Sequence, residues 1–443
     1  MLVTSISIFL FVLLIGSLVW EDKSYFIALL IVQTFFSSYL SVNLEYAYEG
    51  GILLYILKSW RELILLVLLI STLSKMAKGY QLNSLKFFKF DLLIFTIVIH
   101  IFFVTYAIAF KGNSFFSAIN ESRFYFIGLY LIFFSIYNFD LTSLNFELIK
   151  RAVYLVIAIN IFYASFNYFT FDGVYQTSWK YQFKLDREFI KLKESIWGFR
   201  LLGNDFVRDG NLRASGFFIS TLEYAITLAF TFIIAFVSYL RSKKRAQMIE
   251  MLMMISCCVG IYTSQTRTAY GIVLLAIVLY LGFRYYRMKL WFLVAIPIFF
   301  TGFVFIAVTI RIPGLDEASS FGRILQYVEF INNFDVLGIG FGSSKRTSFD
   351  SFYLSIFTVF GILGIFYLSL IFYPLRMLHK QSKEVDRKLE TREVLLISTF
   401  IFTLTNIFVF GVQYSIYSFQ LFLLLLLNFL VLGQGPAILS TNR

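Results

Sequence analysis

Thirteen stretches of roughly twenty apolar residues follow one another along this chain, and that repetition leaves few folds open. A helix needs about 20 predominantly apolar residues to cross the hydrocarbon of a bilayer. Residues 2–20, 25–43, 51–74, 91–110, 118–138, 152–170, 216–240, 247–265, 269–283, 290–309, 351–373, 394–411 and 416–433 meet that need. Lys58, Arg61 and Glu62 interrupt the third stretch, so twelve spans is the near alternative. The expected fold is all-α, a polytopic transmembrane bundle of 12–13 spans.

Composition agrees. Of 443 residues, 59% are hydrophobic and only 14% charged, which excludes an ordinary soluble domain. The net charge of +12 would suggest nucleic acid in a soluble chain. Here it reflects basic loops that fix topology, so no nucleic-acid partner is expected. Cys257 and Cys258 are adjacent inside a span, too close for an ordinary disulfide or a metal site, and read as packing residues. The apolar N-terminus lacks a basic n-region and an A-x-A site, so it reads as a retained first span.

Basic residues set the orientation. Lys75, Lys78, Lys86 and Lys89, then Arg241 to Arg245, Arg284 to Lys289 and Arg376 to Arg392 mark cytoplasmic loops. The C-terminus falls inside, and segments 171–215 and 310–350 fall outside. No period of 20–50 residues repeats, so residues 1–443 form one membrane domain with two external elaborations.

The first elaboration, 171–215, interleaves aromatics such as Trp179 and Trp197 with Lys, Arg and Asp. Aromatic faces stack on sugar rings and basic groups hold phosphate; an interfacial helix dipping Trp197 into headgroups is the plain alternative. The second, 310–350, sets Phe321, Ile324, Leu325, Val328 and Ile331 at helical spacing. Ser319 or Ser320 is its expected N-cap, Arg323 sits in its expected first turn, and its apolar face is expected down on the bundle.

On this topology Arg123, Arg213, Arg267, Arg311, Arg323, Lys345, Arg346 and Asp350 share the outer side. A charge at the bilayer centre costs about 2.5–3.5 kcal/mol and far less near the interface, so snorkelling accounts for any one arginine. Several facing one cavity would suit a pyrophosphate, which needs permanently charged bidentate donors. Asp350 reads either as the N-cap of the helix from Ser351 or as a general base. His100, mid-span, reads as an interhelical hydrogen-bonding residue. No H-E-x-x-H, G-x-S-x-G, P-loop or DxD pair at a span mouth occurs, so no metal or cofactor is expected. Gly338, Gly340 and Gly342 form a G-x-G-x-G without the strand-before, helix-after context of a dinucleotide site, and read as a turn for close backbone approach.

The stretch from Arg323 to Gly364 resembles the signature of the O-antigen ligase and polymerase superfamily: an arginine, G-x-G-x-G, then H-[NSQ]-x9-G-x-x-[GTY]. Here Gly338, Gly340 and Gly342 are followed by Asp350-Ser351, nine residues, and Gly361-Ile-Leu-Gly364. RASGFFISTLEYA from Arg213 resembles the family's arginine–glycine segment, and TSQTRTAYG around Arg267 its turn between two helices. The likeness covers about residues 210–370. Asp350 stands where ligases carry histidine, which favours a Wzy-type polymerase.

The resemblance implies a metal-independent, inverting glycosyltransferase at the outer face of the bacterial inner membrane. Its donor and acceptor would be polyprenyl-pyrophosphate-linked oligosaccharides, with membrane lipids around it and a chain-length regulator as partner protein. Arg213, Arg267 and Arg323 would hold the donor pyrophosphate and Asp350 would serve the acceptor hydroxyl. Arg123, Arg311, Lys345, Arg346, Ser351, Trp179 and Trp197 would bind substrate. A ligase handing the glycan to lipid A core is the same-fold alternative. A lipid-linked oligosaccharide flippase is the different-class one, for which charges near the midplane and broken helices in repeated halves are the expected marks.

Overall fold

The computed structural model describes residues 2–47, 59–77, 85–138, 144–174, 180, 206–208, 210–240, 244–310, 318–343, 351–372, 374–384 and 391–412. In chain order these give α1 (Leu2–Gly16), α2 (Ser24–Ala47), α3 (Trp60–Ala77), α4 (Leu85–Ala109), α5 (Phe115–Asn138) and α6 (Phe146–Phe169). A hairpin of β1 (Val207–Arg208) and β2 (Asn211–Leu212) precedes α7 (Thr221–Tyr239), α8 (Lys244–Ser264), α9 (Arg267–Arg284) and α10 (Leu290–Thr309). Then come α11 (Ala318–Asn332), α12 (Phe352–Phe360), a 3-10 turn at Gly361–Leu363, α13 (Gly364–Phe372), α14 (Pro374–Glu384) and α15 (Thr391–Val412).

The protein is an all-α, polytopic helical bundle. Among the described residues seven helical stretches are long and apolar enough to cross a membrane, and four shorter apolar helices join them. This is a multi-pass membrane protein. A helix occupies each expected span that the described residues reach; positions 51–58 and 416–433 lie outside them. The chain divides into two compact units: residues 1–63, 142–274 and 386–398, and residues 64–141, 275–385 and 399–443.

In the first unit α7 is the core, with Tyr224, Phe230 and Ile234 fully buried. Lipid tails are as apolar as leucine, so helices associate through close packing and polar pairs. Both occur here. A Cβ on Gly260 of α8 would lie 2.5 Å from Leu228 Cδ1 and 2.9 Å from the Tyr224 hydroxyl, so the missing side chain lets α8 lie close on these two residues of α7. Elsewhere in the unit, the buried Glu250 carboxylate accepts from Lys150 Nζ at 3.1 Å, from Ser238 Oγ at 2.8 Å and from the Tyr154 hydroxyl. That network joins α6, α7 and α8. Every oxygen of Glu250 is bonded, as a carboxylate in a dry interior requires.

The second unit holds the α4–α5 pair, where His100 Nδ1 lies 2.9 Å from the Tyr130 hydroxyl and its ring stacks on Phe126. The span expected to run unbroken over 351–373 is in fact two half-helices. Gly361, at φ +57° and ψ −147°, takes a conformation that side chains exclude, and α12 stops there.

Candidate functional site

The segment RASGFF, residues 213–218, builds a small polar cavity in the first unit. The hairpin pairs Val207 with Leu212 and Arg208 with Asn211. Its closing contact, Arg213 N to Phe206 O at 2.7 Å, brings Arg213 beside Phe206. Ala214 N then donates to Thr263 O at 3.0 Å, tying the segment to the end of α8. Phe217 N donates to Asn160 Oδ1 at 3.0 Å, and the Phe217 ring stacks on Tyr163 at 4.4 Å. Gly216 has φ +54°, and a Cβ there would sit 2.8 Å from Asn160 Oδ1.

The cavity measures about 40 Å³ and is lined by Lys180, Phe206, Arg213, Ser215, Ile219, Ser220 and Thr221. At roughly 10–15 Å³ per water it takes about three waters, the size of a phosphoryl group rather than a sugar ring. Lys180 donates to Ser215 Oγ. Ser220 caps α7, its hydroxyl accepting from Leu222 N at 3.2 Å. Two cations, three hydroxyls and the positive end of a long helix therefore converge, and among the described residues no carboxylate lines the space. Such a set favours an anion. One turn along, Glu223 is engaged electrostatically with Arg61, whose guanidinium lies over the Trp60 ring at 5.2 Å. The Arg61 group is thus an internal charge partner at the start of α3.

Arg267 opens α9 and is exposed. The tight turn before it contains Gln265 at φ +52°. Arg208 Nη1 donates to Gln265 O at 3.0 Å, so the hairpin leading into Arg213 is docked on the turn leading into Arg267. These two predicted arginines lie on neighbouring segments of one unit.

In the second unit the G-x-G-x-G stretch packs backbone on backbone. Ile339 N donates to Thr358 O at 2.9 Å, Gly340 N to Val359 O at 3.0 Å, and Ile362 N to Val336 O at 2.8 Å. The loop thereby satisfies groups that the break at Gly361 frees, which hydrocarbon cannot do. A Cβ on Gly338 would lie 2.4 Å from Gly361 N, and one on Gly361 2.1 Å from Val336 O. The far side of the loop is clasped by the α4–α5 turn. Asn113 Nδ2 donates to Ile339 O at 3.1 Å and Phe341 O at 2.9 Å, Glu121 Oε2 accepts from Gly342 N at 2.5 Å, and Lys111 pairs with Asp335 at 2.7 Å. Phe341 is fully buried against Tyr125 and Phe360. The close approach expected of these glycines is real, and its partner is protein.

The other predicted residues fall as follows. Arg123 is exposed in the third turn of α5, which begins at Phe115 rather than at the residue-118 start expected of the span. Arg323 sits in the second turn of α11, because that helix begins at Ala318; the unfavourable dipole expected for a first-turn cation has faded there. For the same reason Ser319 and Ser320 are first-turn residues and not the N-cap. Ser351 is buried and is the N-cap of α12, accepting from Leu354 N at 3.5 Å and donating to Phe410 O at 3.1 Å, with the Tyr327 hydroxyl 3.0 Å away. The cap contemplated for Asp350 belongs to Ser351. Asp350, Arg311, Lys345, Arg346, Trp179 and Trp197 lie outside the described residues. Arg213 and Arg267 belong to the first unit, Arg123 and Arg323 to the second.

Sequence reasoning passed over Lys180, Ser215, Ser220, Thr221 and Asn160. The signal for one of them, Ser220, was present: S-T-L-E at 220–223 has the S-x-x-E spacing of a capping box before an apolar run. No protein-family model matches the chain, and no curated protein matches it significantly. Residues and geometry carry the functional reading.

Proposed function

We propose that this protein is a membrane glycosyltransferase that joins polyprenyl-pyrophosphate-linked oligosaccharides at the outer face of a bacterial inner membrane, a polysaccharide polymerase of the O-antigen or capsule type. One observation carries the reading: the Lys180–Arg213 cavity at the head of α7, docked against the Arg267 turn, is phosphoryl-sized and lined by donors. The spacing of Arg323, the three loop glycines, Asp350-Ser351 and Gly361 to Gly364 supports the same family. In the proposed step an acceptor hydroxyl oxygen attacks the anomeric carbon of the donor. The carbon–oxygen bond to pyrophosphate breaks, the hydroxyl proton passes to a carboxylate base, the part the resemblance gives Asp350, and Arg213 and Arg267 stabilise the charge gathering on the leaving group.

The flippase alternative gains a broken span at Gly361 but loses weight there, since the backbone of the glycine loop pairs with groups that the break frees. Purified protein in liposomes, given lipid-linked repeats and no nucleotide, is expected to lengthen them. Arg213→Ala and Arg267→Ala are each expected to lower the rate by about 100-fold or more, the loss typical of a charge-stabilising donor. Full activity in both variants removes the assignment. Transfer to a lipid A core acceptor without lengthening turns it to a ligase, and movement of intact lipid-linked glycan between leaflets turns it to a transporter.

A further inference from the structure

The amphipathic helix α11 was expected to set its apolar face on the bundle, whereas three residues of that face, Leu325, Val328 and Ile331, are exposed. Its bundle-facing contact is polar-tipped: the Tyr327 hydroxyl donates to Gly411 O at 2.5 Å, and the Tyr327 ring packs edge-on against Phe305 of α10 at 5.0 Å. Leu325, Val328 and Ile331 recur at intervals of three, so they share one side of the helix. They are 53%, 50% and 71% exposed. At 100° per residue, Gln326 and Glu329 fall on a third side, away from both Tyr327 and the centre of the apolar arc. One side meets protein, one is apolar and uncovered, one is polar.

We infer that the uncovered arc of α11 is seated on lipid acyl chains at the edge of the bilayer, so that α11 is an interfacial helix and its partner is the membrane surface. Continuity of surface argues for lipid. α10 is a membrane-crossing helix, and Phe303, Ile306 and Ile310 at its end are exposed. Only 311–317 separate that end from the start of α11. Immediately after α11, Val336 and Leu337 are exposed as well, just before the buried glycine loop begins. The loop's clasp on the α4–α5 turn puts the exposed Phe115 and Phe116, at the start of α5, at the same end of the unit. An apolar margin of this extent in water would be an aggregation surface, whereas at the headgroup boundary it is what binds. The inference does not depend on the glycan reading.

The test uses the full-length protein in liposomes with Cys257→Ala and Cys258→Ser as background. Single cysteines at positions 325, 328 and 331, and at 326 and 329 as controls, receive a nitroxide label. Collision with dissolved oxygen and with a water-soluble nickel chelate is then measured. The expected result is oxygen-dominated collision at 325, 328 and 331 and nickel-dominated collision at 326 and 329. Nickel-dominated collision at all five overturns the inference, because the arc would then face water. Labels at 325, 328 and 331 shielded from both reagents also overturn it, since protein would cover them; restored access on dilution with unlabelled chain would identify that cover as a second copy.

Discussion

Both ends of the Asn160 amide are bonded to backbone. Oδ1 accepts from Phe217 N, and Nδ2 donates to Val156 O at 2.9 Å. The side chain thereby fixes the RASGFF segment, and Gly216 is left no room for a methyl group on the Asn160 side. Gly216→Ala is expected to destabilise the protein by about 1–3 kcal/mol, from the strained φ and the 2.8 Å collision together. Asn160→Ala removes the collision with Oδ1 but neither the φ cost nor the 3.1 Å approach to the Asn160 carbonyl oxygen, so the double variant should lose less than the sum of the two singles. Thermal unfolding of the purified protein in detergent measures that coupling. The Lys150–Glu250 pair makes a sharper case, because both groups are buried. Removing one partner of such a pair costs about 3–5 kcal/mol, and replacing both with apolar groups costs much less. Lys150→Met is therefore expected to unfold at markedly lower temperature than Lys150→Met with Glu250→Leu. Single-residue roles of this kind were partly legible. Arg213 and Arg267 stood out as charges near span ends, whereas Asn160 and Ser215 are polar residues of ordinary type, and only the chain's return from residue 217 to residue 160 gives them a job.

At the scale of elements, the broken span in the second unit shows how a motif can be correctly found and still differ in partner. G-x-G-x-G announces close approach of backbone, but the letters do not say what approaches. Here the opposing surface is Gly361, which the periodicity of an apolar run cannot reveal, because an unbroken helix and two half-helices are equally apolar. Gly361→Ala is expected to abolish monodisperse protein in detergent, since its Cβ would lie 2.1 Å from Val336 O at a glycine-only backbone conformation. Gly302→Ala, with nothing within 4 Å of the new methyl and α-helical surroundings, should hold or raise the unfolding temperature. The Lys111–Asp335 pair at the loop's entry gives a pH signature. The hydrogen bond from Lys111 holds the Asp335 carboxyl below its ordinary value, and the same bond raises the Lys111 ammonium. A depressed acid contributes stability above its unfolded pKa and loses it as pH falls through the folded one; a raised base contributes below its unfolded pKa and loses it as pH climbs through the folded one. The stability difference between wild type and Lys111→Met should thus stay constant from about pH 5 to 9 and shrink only below about pH 4 or above about pH 10. Unfolding curves across that range check it.

For the whole molecule, the fold class was readable, and the grouping of helices into units was not. Residues 1–63 and 142–274 fall in one unit while 64–141 falls in the other, an interleaving that no local pattern records. In lipid every helix offers a similar apolar exterior, so neighbours are chosen by small residues and buried polar partners far apart in sequence, such as Gly260 beneath Leu228 or Lys150 beneath Glu250. The proposed donor site yields a prediction at this scale too. An anion bound only by the folded chain raises its stability, by about 2.7 kcal/mol at a hundredfold excess over Kd. Inorganic pyrophosphate is expected to raise the unfolding temperature of the wild-type protein and to leave Arg213→Ala unmoved; an equal rise in both would place the anion elsewhere.

The glycine loop also sets a rule for how this chain can change length. Between Val336 and Gly342 almost every residue is registered against something fixed, the helix break on one flank and the α4–α5 turn on the other. A single added or deleted residue there would shift all of those registrations at once. Among related chains, insertions should therefore accumulate upstream of Asp335 or downstream of Gly342, and this stretch should behave as a spacer of constant length.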